Sequence, residues 1–164
     1  MNRYIRIAAI LFIVSANIGC DQISKAVVRE NLQYHEQIEV INDNFILTKV
    51  ENTGAFLGLG ENLPQMVKNI ILSFIPALTI LALLVFVLTK TSLSHLAVFG
   101  LCSVVGGGIG NIFDRIAHGS VTDFLHIDLG YLQTGVFNMA DVSIMMGMMV
   151  LLWGFWREGG NSAV

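Results

Sequence analysis

Four apolar runs, each about as long as a bilayer is thick, constrain this chain more than any other feature. They cover residues 4–20, 67–88, 96–113 and 137–156. A helix crossing a hydrocarbon core of ~30 Å needs about 17–25 residues. Lipid offers no partner to backbone N–H and C=O groups, so spanning segments close their hydrogen bonds internally. The runs therefore predict an all-α membrane protein with four transmembrane helices. Pro76 is expected to kink the second span, and Trp153 and Trp156 end the fourth where interfacial aromatics gather. With 54% hydrophobic and 13% charged residues, the chain lies well away from soluble domains, at about 25% charged. Its 164 residues suit one integral membrane domain, residues 1–164.

An even number of spans puts both termini on one side. Arg3, Arg6, Lys90 and Arg157 flank the spans in short segments, whereas Lys25, Arg29, Lys49, Lys68 and Arg115 are spread over long ones. Positive residues concentrate in short cytoplasmic segments, so N-in and C-in is the expected topology. The long segment after the first span holds Val40 and Ile41, then Phe45, Ile46, Leu47 and Val50, around Asn42-Asp43-Asn44. Residues 37–59 are thus expected to form a small extracytoplasmic β-hairpin or half-barrel.

Several function classes fall away. A net charge of −3 offers no basic face for nucleic acid. Cys20 and Cys102 form no C-x-x-C, and the four histidines show no H-E-x-x-H spacing, so no metal and no cofactor is expected. The spans put the two cysteines at different depths, which disfavours a disulfide between them. A basic-then-apolar start ending in Cys20 also fits a cleavable signal peptide, but three further spans and Asp21 favour an uncleaved helix.

Carboxylates are costly in or beside hydrocarbon, so an acid in a span is a functional candidate. Asp21 ends the first run, Asp114 ends the third, Asp123 follows it in an expected loop, and Asp141 sits one turn into the fourth. The topology collects all four at the outer face. Asn138 and Asp141 are three apart and share a helix face, as do Asn111 and Asp114. Gly106, Gly107, Gly108 and Gly110 would admit a second helix close to the third span. Two carboxyls at one site share a proton. The charged one can take a proton from water while the other donates to a peptide carbonyl.

Quieter readings exist for each acid. Asp114 beside Arg115 fits a helix-end charge pair, Asp21 fits a structural pair with Lys25, and Asp123 or Asp128 fits a cap on a short helix. For Asp141 a capping role is disfavoured by its distance from Phe137. Met145, Met146, Met148 and Met149 read as packing against lipid or the bundle. A Ser24–Lys25 protease is disfavoured because neighbours on a helix point about 100° apart. A proton-coupled transporter would spread its acids over several depths and show inverted repeats, and a scaffold gives no reason for paired Asn–Asp faces.

The chain resembles the lipoprotein signal peptidase family, also called signal peptidase II. The resemblance rests on Asp21-Gln22-Ile23-Ser24-Lys25, Asn52-Thr53-Gly54-Ala55, Gly107–Arg115 with Asn111 and Asp114, Val121-Thr122-Asp123-Phe124, and Phe137-Asn138-Met139-Ala140-Asp141. It implies an aspartyl endopeptidase of the bacterial cytoplasmic (inner) membrane, with its active site at the extracytoplasmic face. The implied substrate is a prolipoprotein with a diacylglyceryl-modified cysteine, cut just before that cysteine. It also implies that Asp123 and Asp141 are catalytic, and that Asn111, Asp114, Arg115 and Asn138 shape the site or bind the substrate. Asn52 and Gly54 would position the peptide, with Asp21, Lys25 and Ala140 in support. Membrane lipid is the expected surroundings and a monomer the expected state. Phe56 comes one residue early against the family's outer-loop pattern.

Overall fold

The computed structural model describes residues 2–41, 44–55 and 59–161, and of residues 158–161 the backbone alone. Among the described residues, four helices are long and apolar enough to cross a membrane. They are α1 (Arg3–Asn31), α2 (Gln65–Thr89), α3 (His95–His118) and α4 (Met139–Asn161). Phe12, Met66, Leu81, Trp153 and Trp156 are exposed, while Lys25, Asp21 and Asp114 have no exposed surface. That inversion of the soluble pattern suits a solvent of hydrocarbon.

The first helix runs past its apolar segment. Its 29 residues span about 44 Å at 1.5 Å each, well beyond the expected end at Cys20. The extension holds because Asp21, Lys25 and Arg29 recur every four residues and turn one polar stripe inward. Ile23 and Val27 remain exposed on the other side. Asp21 therefore sits inside a helix, not at its end.

Helix α2 is built of three pieces. An α-turn over Gln65–Lys68 leads into a π-helical stretch over Asn69–Phe74, and regular α-helix resumes over Ile75–Thr89. Pro76 lies in the first turn of the last piece. It has no N–H for the carbonyl four residues back, and its ring crowds that carbonyl. The wider π turn relieves this, so the irregularity expected at Pro76 falls just before it.

Helix α3 packs against each of the other three. Glycine makes this possible at Gly107, where an added Cβ would strike the carbonyl oxygen of Ala140, and at Gly110, where it would strike the Asp21 carboxylate. Ser94 caps the start of α3 by accepting from Ala97 N at 3.3 Å, and Gly119 ends it at φ 79°.

The β segment is larger than the hairpin expected. Strands β1 (Gln37–Ile41) and β2 (Phe45–Asn52) are joined by β3 (Val121–Ile127), giving an antiparallel sheet in the order β1-β2-β3. Asn42 and Asp43 of the expected turn lie outside the described residues, as does Phe56. Asp123 is thus a strand residue opposite Val50, not a loop residue. Val28 of α1 and Leu32 just past its end bury against Phe124 and Leu125 of β3, which fixes the sheet to the end of the bundle. After a loop, Phe137 returns to bridge Leu125, and this return sets Asn138 and the start of α4 beside Asp123.

Candidate active site

Every candidate residue read from the sequence enters one polar network at a single end of the bundle. Its base is a buried charge cluster. Lys25 Nζ lies 2.8 Å from Asp21 and 3.0 Å from Asp114, and Arg29 lies 3.0 Å from the other oxygen of Asp114. Two carboxylates face two cations, so the cluster is neutral as a set. The pairing of Asp21 with Lys25 is as expected. The expected pair between Asp114 and Arg115 is not formed, because consecutive helix residues diverge and Asp114 faces α1. Gln22 adds side-chain donations to Asp21 and Asp114, and Asp21 accepts from Ala140 N at 2.9 Å. The last bond joins α1 directly to the first turn of α4.

On this base stand two asparagines that orient the other two acids. Lys25 donates to Asn111 Oδ1 at 3.1 Å, which leaves Asn111 Nδ2 to donate to Asp141 Oδ1 at 2.8 Å. Asn138 has no exposed surface, and its Nδ2 donates to Asp123 Oδ1 at 2.6 Å and to Asn111 Oδ1 at 3.1 Å. Asp123 Oδ2 accepts from Asn52 Nδ2 at 3.0 Å. Asn52 Oδ1 in turn accepts from Gly54 N at 2.9 Å, and Arg115 holds the Gly54 carbonyl at 3.1 Å.

Asp141 does serve as a cap, contrary to expectation. Its backbone N–H donates to Asn138 Oδ1 at 3.0 Å, while Asp141 Oδ2 accepts from Asn138 N at 3.1 Å. This is a reciprocal capping box with Asn138 as N-cap and Asp141 three residues on. The cap consumes one oxygen, and Asn111 holds the other. The helix start therefore positions the acid.

Asp128 caps no helix; it accepts from Gly130 N at 2.8 Å and from Gln133 at 2.8 Å within a turn. Ser24 Oγ donates to the Asp21 carbonyl at 2.8 Å, and Lys25 is committed to Asp21, Asp114 and Asn111, so the two form no nucleophile–base pair. Five partners, Gln22, Arg29, Thr122, Glu51 and Ser120, were missed. Arg29 completes the i, i+4, i+8 polar stripe of α1, a period visible in the sequence once the helix is known to reach Asn31. Thr122 accepts from Arg29 Nε at 2.8 Å and donates to Glu51 at 2.7 Å, and Glu51 also accepts from Ser120. Glu51 meets Thr122 and Ser120 only through strand pairing, which leaves no local trace.

The two acids line one cleft of about 70 Å³ with Asn52, Asn111, Arg115 and Asn138. That is room for about two waters at roughly 30 Å³ each. Asn111, Arg115 and Asp141 also line a groove of about 610 Å³ whose walls are Ile71, Leu72, Ile75 and Ile80 of α2 and Ile112 and Ile144 opposite. Within this junction Arg115 Nε is a buried N–H with no hydrogen-bond partner among the described residues. Burial pushes the Asp123 carboxyl up to about 6; the amide of Asn52 opposes the rise, the charge of Asp141 adds to it, and Asn138 and Lys25 oppose it.

A family profile described as signal peptidase (SPase) II matches residues 13–157. The chain belongs to the signal peptidase II family. It is 36% identical to the lipoprotein signal peptidase of Desulforapulum autotrophicum over 137 residues, covering 83% of this chain and 84% of that one. It is 35% identical to that of Moorella thermoacetica over 144 residues, covering 88% and 90%. A bacterial membrane enzyme solved by the in meso method at 2.3 Å resolution superposes with a TM-score of 0.84 at 22% identity, over 94% of this chain and 92% of that chain. Signal peptidase II membership makes the protein a protease, and its four apolar helices suit an integral membrane enzyme.

Proposed function

We propose that this protease removes signal peptides from diacylglyceryl-modified prolipoproteins, cutting just before the lipidated cysteine, with Asp123 and Asp141 sharing one proton. The observation that carries the reading is that both carboxylates line one water-sized cleft, each held on both oxygens by amide donors. With two acids and one proton, the charged member removes a proton from water. The resulting hydroxide attacks the scissile carbonyl carbon, and the protonated member donates to the carbonyl oxygen. As the tetrahedral adduct collapses, the C–N bond breaks, the leaving amine takes the proton that came from water, and a hydroxyl of the adduct returns its proton to the other carboxylate, so the pair again holds one.

The lateral groove supports the lipid part of the substrate. Its walls are apolar and it reaches Asp141 and Arg115. Acyl chains entering from the bilayer would gain about 0.8 kcal/mol per buried CH₂. The unpartnered Arg115 Nε is available to a carbonyl oxygen of the bound precursor. Asn52 and Gly54, tied to Asp123 and Arg115, would hold the peptide on the sheet side. Asn111 and Asn138 orient the acids, while Asp21, Lys25, Asp114 and Ala140 fasten α1, α3 and α4 around them.

In this reading the chain is one peptidase domain in the bacterial cytoplasmic membrane, with N-in and C-in topology and the acids at the outer face, acting as a monomer. Purified protein incubated with lipidated and unlipidated precursor tests it by mapping the cut. The expected product begins at the lipidated cysteine and forms only from the lipidated precursor. Equal turnover of both precursors, or a cut elsewhere, would overturn it.

A further inference from the structure

At the end of the bundle opposite the acids, α1 begins, α2 ends and α3 begins around a cavity of about 530 Å³. Its polar lining is Arg3, Arg6, Thr89, Thr91 and His95, and no carboxylate among the described residues contributes to it. Arg6 is only 7% exposed. Its guanidinium donates to the carbonyls of Val87 and Lys90 at 2.7 Å and of Leu88 at 3.4 Å. These carbonyls are the negative end of the α2 dipole, so they hold Arg6 in place and offset part of its charge. They do not supply a counter-ion. The ion pairs among the described residues all lie in the charge cluster at the other end, and neither Arg3 nor Arg6 is in one.

A buried cation calls for an anion. The forked donors of arginine fit phosphate oxygens better than any other common anion except carboxylate. Because Arg6 is already fixed, little ordering remains to oppose binding. Leu93 and Val98 line the same cavity, and its volume exceeds what a bare phosphate ion fills. The position, at the ends of three spanning helices, is the depth at which lipid phosphates lie.

We propose that this cavity is a binding site for the phosphodiester headgroup of an anionic phospholipid. The guanidinium fork of Arg3 holds the phosphate beside the fixed charge of Arg6, the Thr91 hydroxyl donates to it, and the first carbons lie against Leu93 and Val98. The Thr89 hydroxyl is already given to the Val85 carbonyl, and both Nη2 hydrogens of Arg6 to those of Val87 and Lys90. The site is separate from the cleft that holds Asp123 and Asp141, and it does not depend on the reaction proposed there.

The test uses the full chain in a neutral detergent, with dioleoyl phosphatidylglycerol, dioleoyl phosphatidylcholine or inorganic phosphate added at equal concentration. Native mass spectrometry reads retained lipid, and the thermal unfolding midpoint reads stabilisation. One phosphatidylglycerol is expected to be retained, about tenfold more tightly than phosphatidylcholine, as for a charge-assisted pair. Arg3→Gln should erase that preference, with folding and cleavage intact. Arg6→Gln would lose the tie to α2, so Arg3→Gln is the deciding variant. Equal retention of both lipids, an unchanged preference in Arg3→Gln, or a midpoint shift that phosphate alone reproduces would each overturn the proposal.

Discussion

The side-chain amide of Asn138 donates to Asp123 at 2.6 Å. Its backbone N–H and side-chain oxygen meanwhile close a capping box with Asp141. One buried asparagine thus ties a strand residue to the first turn of a helix. The spacing of the two acids is set by a helix cap.

The raised carboxyl of Asp123 predicts a stability change with pH. Its folded value is about 6, above the ~3.9 of an unfolded aspartate. The folded state therefore binds the extra proton between those values, and stability falls as pH rises from about 4 to about 6. The loss is on the order of 2–3 kcal/mol for this group. Asp123→Asn should flatten that part of the pH–stability curve, measured by thermal unfolding in detergent. An unchanged slope would place the titration elsewhere.

Lys25 should be needed for folding. Lys25→Met leaves Asp21 and much of Asp114 without their cation in a buried cluster, and breaking such a pair costs about 3–5 kcal/mol. Loss of folded protein from the membrane is the expected result. Ser24→Ala removes only a bond to a helix carbonyl and should leave cleavage within about twofold, since exposed-side changes are worth about 0.5 kcal/mol or less. Full activity of Lys25→Met would show that the charge cluster is dispensable.

Helix approach at the site can be tested with glycine. In Gly107→Ala the new methyl meets the Ala140 carbonyl oxygen and Ile144, and overpacking of this kind costs about 1–3 kcal/mol. Because Ala140 is one residue from Asp141, cleavage should fall with stability. Gly19→Ala meets nothing within 4 Å and should be neutral or stabilising, by up to about 1 kcal/mol. Both are read by unfolding midpoints beside turnover. Matching midpoints for the two variants would contradict the packing described.

Much of this was legible in the sequence because lipid makes polar residues conspicuous. Asp21, Asp114 and Asp141 stood out in apolar runs, and the spacing of three between Asn138 and Asp141 is a real pair, whereas Asn111 turns from Asp114, three residues on, to donate to Asp141 across the helices. What could not be read locally came from pairing. Strand β3 lies directly after α3, and nothing within V-T-D-F-L-H-I announces β2 as its partner, so Asp123 was expected in a loop. Arg29 was lost with the last 11 residues of α1, because Asp21 looks like an end unless its buried cation is known. The Asp114–Arg115 adjacency was misleading for the reason that removed Ser24–Lys25: neighbours on a helix face different ways.

The central claim is that Asp123 and Asp141 act as one unit on a lipidated precursor. Its most direct test is single-turnover cleavage of that precursor by Asp123→Asn, Asp141→Asn and the double variant, with folding checked by unfolding midpoint. Asp141→Asn should lose up to about 1 kcal/mol from the cap yet remain folded. Each single variant should fall at least about a thousandfold, and the double variant should fall no further, as expected for residues acting together. Near-normal turnover by either single variant, or losses that multiply in the double, would contradict a shared-proton pair.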